Sequence, residues 1–216
     1  MFRGSYPEDV LADTAQLTDW SFVRDGDLAE ISRPIDSLGI NYYTPTVVAA
    51  EDAGAAGSAG GGPRGDGHQG GSPWPADGGI RFLPAPGART AMDWPVDADG
   101  LYELLTRLRD ELPGVPLLVT ENGAAYEDYS DPSGAVHDPE RIAYLHAHLA
   151  AVHRALADGA PVRGYFLWSL LDNYEWAYGY SKRFGIVHVD FASQRRTPKD
   201  SAHWYRRVIR DGALPQ

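Results

Sequence analysis

Apolar residues along the chain fall into short blocks and helical stripes, and the two alternate. The run Ser37-Leu38-Gly39-Ile40-Asn41-Tyr42-Tyr43 is compact, apolar and aromatic, which predicts a strand. Leu101, Leu104, Leu105 and Leu108 then share one stripe and predict a helix over 97–112, stopped by Pro113-Gly114. Pro116-Leu117-Leu118-Val119-Thr120-Glu121 is apolar until its last two residues, as a buried parallel strand is, and Asn122-Gly123 turns it. Asp138-Pro139 supplies an N-cap and an N1 proline for a second long helix, with Ile142, Leu145, Leu149, Val152 and Leu156 as its buried face and Gly159 at its end. Arg163 to Ser169 reads as a third strand, and a last helix runs over 199–211 after Pro198. Weaker signals predict helical pieces over 3–15 and 27–32 and a strand over 185–190.

Strands alternating with helices argue for βαβ units and a parallel sheet, hence the α/β class. One stretch breaks the alternation. Residues 49–79 hold 11 of the 24 glycines, together with Pro63, Pro73 and Pro75, and have no hydrophobic period. Such a segment buries too little apolar surface to offset its ordering entropy, so it reads as a long flexible loop. Its Gly57 to Gly62 run fits a loose G-x-x-G-G-G but neither follows a strand nor opens a helix, as a dinucleotide fingerprint must.

Charge and composition narrow the partners. The 216 residues include 19 basic and 30 acidic side chains, a formal net charge of −11. An acidic chain is a poor match for nucleic acid or for an anionic membrane surface. There is no cysteine, which excludes a disulfide scaffold, a thiolate zinc site and a cysteine nucleophile. The first residues lack an apolar signal region and no apolar run reaches the ~20 residues of a membrane helix, so the expectation is a soluble cytoplasmic protein.

Three segments could carry chemistry. Glu121 is a carboxylate at the C-terminal end of a buried strand, the edge where barrel and doubly wound folds build their sites. The same position also suits a solvent-facing acid. Trp168 to Trp176 packs two tryptophans, a tyrosine and two carboxylates behind the next strand. Aromatic faces suit the C–H face of a sugar ring, and carboxylates accept from its hydroxyls. Asn41-Tyr42-Tyr43 ends the first strand. His146, His148 and His153 lie on one helix without the i, i+4 spacing of a metal pair, so they read as packing or solvated residues.

In this order, the segments resemble family 1 glycoside hydrolases, the β-glucosidase family. Leu38 to Tyr43 resembles that family's sixth barrel strand. Val119-Thr120-Glu121-Asn122-Gly123 is similar to its T-E-N-G nucleophile motif on the seventh. Gly164 to Trp176, with Gly179 to Ile186 after it, resembles the eighth strand and its sugar-binding loop, and Arg3 to Pro7 resembles the segment after the fifth. The resemblance implies a partial (β/α)8 barrel, strands six to eight with their helices, over the whole chain except the glycine-rich loop.

It also implies roles. Glu121 corresponds to the catalytic nucleophile of a retaining mechanism. Tyr43 corresponds to the residue that hydrogen-bonds this carboxylate and orients it. Trp168 corresponds to the platform under the sugar, Glu175 and Trp176 to groups that bind its hydroxyls, and Phe184 to a pocket wall. Asn41 lies near the site by the same match. Glu175 is assigned to binding and not to proton transfer, and Tyr178 stands where the family often has Glu. No cofactor and no metal are implied, and the ligand would be a β-glucoside or a related sugar.

Retaining hydrolysis needs a second carboxyl about 5–5.5 Å from the nucleophile. The resemblance places it in an N-E-P motif on the fourth strand, and no Asn-Glu-Pro occurs here. The chain therefore reads as a C-terminal part of such an enzyme, with a complementary N-terminal barrel chain as its natural partner. The competing reading is an inactive carbohydrate-binding or interaction module derived from the same barrel.

Overall fold

The computed structural model describes residues 2–50 and 80–215. Its centre is a three-stranded parallel sheet in the order β1-β4-β5: β1 is Leu38–Asn41, β4 is Leu117–Asn122 and β5 is Val162–Leu167. Helices α3 (Ala98–Glu111) and α4 (Pro139–Ala157) make the crossovers. A third helix, α5 (Asp200–Asp211), follows β5 at a distance. This is the predicted α/β order; β1 is three residues and β5 one residue shorter than the apolar runs suggest, and β4 has the expected length. The predicted helical pieces near the start are α1 (Glu8–Asp13) and α2 (Asp27–Ile31).

One face of the sheet carries the core. Ile40, Leu117, Val119 and Val162 pack against Leu101 and Leu105 of α3 and Val152 and Ala155 of α4. Each fully buried leucine or valine contributes about 1.5–3 kcal/mol relative to exposure. Asp97 caps α3 by accepting from the Gly100 amide at 3.1 Å, which fixes where the helix starts.

The other face of the sheet is open. Gly39, Asn41 and Thr120 are exposed on it, and Phe166, lying over Gly164, is 57% exposed. Barrel interiors are normally filled by layers of such side chains. Among the described residues the outer edges of β1 and β5 pair with no further strand.

Three sequence expectations need correction. The buried face of α4 is formed by Arg141, Tyr144, Leu145, His148, Ala151, Val152 and Ala155, and Leu156 is 45% exposed. Reading only apolar residues rotated the face, because buried polar groups in phase with Leu145 were not counted. Asp138 sits at the N-cap of α4 but makes no capping bond; its carboxylate instead binds Arg141 and Ser201. The predicted strand over 185–190 is β6 (Val187–Val189), which does not join the parallel sheet. It forms an antiparallel hairpin with β7 (Arg196–Pro198), turned at Gln194 in a left-handed conformation (φ 63°).

The glycine-rich segment is bracketed by a second hairpin, β2 (Val47–Ala50) against β3 (Ile80–Leu83). Ala49 and Ala50 therefore belong to a strand, and the rest of the expected loop, 51–79, lies outside the described residues. No helix among the described residues is long and apolar enough to cross a membrane.

Candidate active site

The strand ends meet at the C-terminal edge of the sheet. Glu121 is half-buried near the end of β4, and Tyr43 lies two residues beyond β1. The Tyr43 hydroxyl donates to Glu121 Oε2 at 2.7 Å. Burial first, then the hydrogen bond and charge of Glu121, push the Tyr43 phenol far above its ordinary pKa. Tyr43 thus stays neutral and serves as a hydrogen-bond donor to Glu121.

Aromatic packing holds that donor. The Tyr43 ring meets Trp94 edge-on at 5.4 Å and Phe184 at 6.1 Å, and Trp94 lies 6.0 Å from Phe184. Met92, Ala125, Trp168 and Tyr178 complete the cluster. Phe184 is 2% exposed, so in this structure it backs Tyr43 and Trp94 and is not on open surface. The loop carrying Trp94 is tied down by the Ala91 amide to the Ala125 carbonyl at 2.8 Å and by Lys182 Nζ to the Ala91 carbonyl at 2.5 Å.

The ends of β4 and β5 approach closely. A Cβ on Gly123 would lie 1.8 Å from the Trp168 carbonyl oxygen, so only glycine fits. The Trp168 amide in turn donates to the Asn122 carbonyl at 3.0 Å. This seam sets Trp168 beside the Glu121 strand end. Glu175 follows on the same loop. Burial raises its pKa, a Trp168 hydrogen bond opposes the rise, and the negative charge of Glu121 adds to it. Glu121, Trp168 and Glu175 therefore share one electrostatic neighbourhood.

The remaining two candidates stand outside the aromatic cluster. Asn41 accepts from Thr120 Oγ1 at 2.7 Å on the open face of the sheet. Trp176 lies in a short 3-10 turn, Trp176–Tyr178, and is 79% exposed.

Sequence reading missed a buried ion cluster beneath the site. Asp128, Asp138 and Asp172 face Arg141, Arg183 and Lys199, three acids against three bases. Arg141 grips Asp128 through both terminal nitrogens, at 3.0 and 2.7 Å. It also donates to the Ala124 carbonyl at 3.3 Å and the Arg183 carbonyl at 2.8 Å. It thereby joins the chain just after Glu121 to the chain just before Phe184. Lys199 bridges Asp128 at 2.5 Å and Asp172 at 2.8 Å. Asp172 also accepts from the amides of Gly185 at 3.1 Å and Val189 at 3.3 Å. Trp94 was missed too, since its loop has no period to read. Arg141 could have been found, because it is in helical phase with Tyr144 and Leu145.

Among the described residues no group of histidine, aspartate or glutamate side chains could hold a metal ion. The arrangement is a carboxyl group held by a phenol, next to an indole and a second carboxyl whose pKa burial raises. The family model for glycosyl hydrolase family 1 matches residues 1–213.

The chain belongs to glycosyl hydrolase family 1.

Relatives in this family are close in sequence. A bifunctional β-D-glucosidase/β-D-fucosidase of Bifidobacterium breve is 48% identical over 215 residues, 98% of this chain and 45% of that protein. Thermostable β-glucosidase B of Thermobispora bispora is also 48% identical, over 98% of this chain and 40% of its own. The family 1 β-glucosidase of Thermotoga maritima in complex with isofagomine lactam superposes with a TM-score of 0.82 at 37% identity, covering 99% of this chain and 42% of that one. These neighbours are family 1 barrels, and the parallel sheet with its outer helices matches part of one. The chain spans less than half the length of the relatives it matches.

Proposed function

We propose that this family 1 chain supplies the carboxy-terminal part, strands six to eight, of a retaining β-glucosidase. In this reading β1, β4 and β5 are those strands. Glu121 attacks the anomeric carbon and forms the covalent glycosyl–enzyme, while Tyr43 orients it. Trp168 stacks under the sugar, Glu175 accepts from its hydroxyls, and the Trp176 indole N–H donates to them. Asn41 lines the neighbouring wall, and Phe184 acts by bracing Tyr43. The observation that carries the reading is the 2.7 Å Tyr43–Glu121 hydrogen bond at the C-terminal edge of a parallel sheet. The sugar class follows the relatives, whose names are those of β-glucosidases and a β-fucosidase.

The general acid/base is not among these residues. Glu175 is reserved for binding, and no Asn-Glu-Pro occurs in the sequence. The partner that supplies the acid/base would also cover the open sheet face and pair with its two edges. General acid–base catalysis contributes about 10²–10⁴-fold, and the absent half of the sugar site adds to that loss. The isolated 216-residue chain is therefore expected to turn over a nitrophenyl β-glucoside at background rate.

A chimera tests the proposal. Joining the preceding segment of the Thermobispora bispora relative to residue 1 should produce an active β-glucosidase. Glu121→Gln in that chimera should abolish turnover, leaving a folded protein. Ordinary turnover by the isolated chain, or by the folded chimera carrying Glu121→Gln, would overturn the proposal.

A further inference from the structure

The regular pairing of β1 with β4 stops at Asn41, where the register shifts, so Tyr42 and Tyr43 lie past the ladder. Something else must align Tyr43 with Glu121. The backbone supplies one bond, from the Tyr42 amide to the Glu121 carbonyl at 3.0 Å. Beyond the aromatic packing of its ring, a second tie comes from the side chain of Asn122, which is 0% exposed.

Asn122 Nδ2 donates to the Tyr42 carbonyl at 2.7 Å and to the Tyr144 hydroxyl at 3.0 Å. Its Oδ1 accepts from the Tyr165 hydroxyl at 2.6 Å. A carbonyl can only accept, so the amide orientation is set by Tyr42 and not by choice. The Tyr144 hydroxyl, having accepted from Asn122, donates to the Tyr43 carbonyl at 3.3 Å. One amide thus engages the end of β1, helix α4 and strand β5, and it is adjacent in sequence to Glu121.

Tyr43 is consequently fixed at both ends. Its carbonyl is held through Tyr144 and Asn122, and its hydroxyl ends on Glu121. The tyrosines that saturate Asn122 are themselves packed: Tyr144 is buried and stacked on His148 at 3.9 Å, and Tyr165 lies against the main core. A buried amide with both hydrogens and its oxygen engaged has one low-energy orientation.

We infer that Asn122 is a positioning residue that sets the Tyr43–Glu121 hydrogen bond by clamping the end of β1 to β4 where the ladder fails. Its consequence for catalysis rests on the reading of Tyr43 and Glu121 given above; the clamp itself does not.

The test is NMR of the full chain labelled with ¹³Cζ-tyrosine, with the Tyr43 signal assigned by Tyr43→Phe. In the wild-type chain the Tyr43 signal should shift on Glu121→Gln, because that change replaces its anionic acceptor. In Asn122→Ala the Tyr43 signal should move, and its response to Glu121→Gln should be lost. Tyr165→Phe and Tyr144→Phe remove one clamp hydroxyl each and carry the test should Asn122→Ala fail to fold; each should diminish the response. A folded Asn122→Ala, Tyr165→Phe or Tyr144→Phe chain that melts lower yet keeps the full Tyr43 response would show a merely structural role and overturn the inference. Failure of the catalytic reading would look different: an active Glu121→Gln chimera beside an intact clamp signal.

Discussion

A methyl group on Gly123 would fall 1.8 Å from the carbonyl oxygen of Trp168. The turn after Glu121 and the residue that begins the aromatic loop are thus in contact through bare backbone. Gly123→Ala must push the two strand ends apart, since neither contacting atom belongs to a flexible side chain. In the active chimera this substitution should lower kcat/KM by at least about tenfold, equivalent to ~1.4 kcal/mol of transition-state stabilisation. Steady-state kinetics checks it, and an unchanged value would show that the seam yields without cost.

The ion cluster should behave as a unit. Lys199→Met leaves Asp128 and Asp172 with fewer cations inside the protein, and breaking a buried pair by removing one partner costs about 3–5 kcal/mol. Exposed pairs such as Arg33–Glu30 should matter little, within about 0–1 kcal/mol. Urea unfolding of the two variants, Lys199→Met and Arg33→Ala, compares them directly. Equal midpoints would contradict the assignment of Lys199 as a buried bridge.

His148 predicts a pH dependence. Its Nδ1 faces the Tyr144 carbonyl at 2.8 Å, so Nδ1 carries the proton, and Nε2 has no partner among the described residues. Burial lowers its pKa, so the folded protein holds it neutral. The unfolded chain takes up the proton first, near the ordinary histidine value of about 6.5. The contribution is present above that pH and is lost as pH falls through the lower folded value. His148→Phe, which keeps the ring stack on Tyr144, should flatten the decline of stability below about pH 6.5. Exposed His137 is shifted the opposite way by Asp200, so the difference between the two proteins is the quantity to read. Parallel curves for wild type and variant would refute a neutral buried His148.

The open face should make the isolated chain sticky. Phe166 lies there on the edge strand β5, and a groove of about 550 Å³ lined by Leu170, Val187, Tyr205 and Ile209 lies between α5 and the β6–β7 hairpin. Unpaired edges and apolar patches favour self-association. Sedimentation should show concentration-dependent oligomers, reduced by Phe166→Ser. A sharp, reversible melt of a monomer would count against a sheet that needs a partner.

Much of this could be read from the residues because it depends on local pattern. The three strands, α3 with its leucine stripe, and the positions of Tyr43, Glu121 and Trp168 at strand ends all follow from short apolar runs that end in polar groups. What escaped depends on contacts far apart in sequence. Lys199 looks like a surface charge until Asp172 folds onto it from 27 residues away. The β2–β3 hairpin was hidden because its strands are four residues each and flank a segment with no pattern.

The nucleophile assignment of Glu121 is best tested by trapping. The active chimera, incubated with an activated 2-deoxy-2-fluoroglucoside, should gain one fluoroglucosyl group per chain, and peptide mass mapping should place it on Glu121. A label on Glu175 or on any other carboxylate, with Glu121 unmodified, would contradict the account.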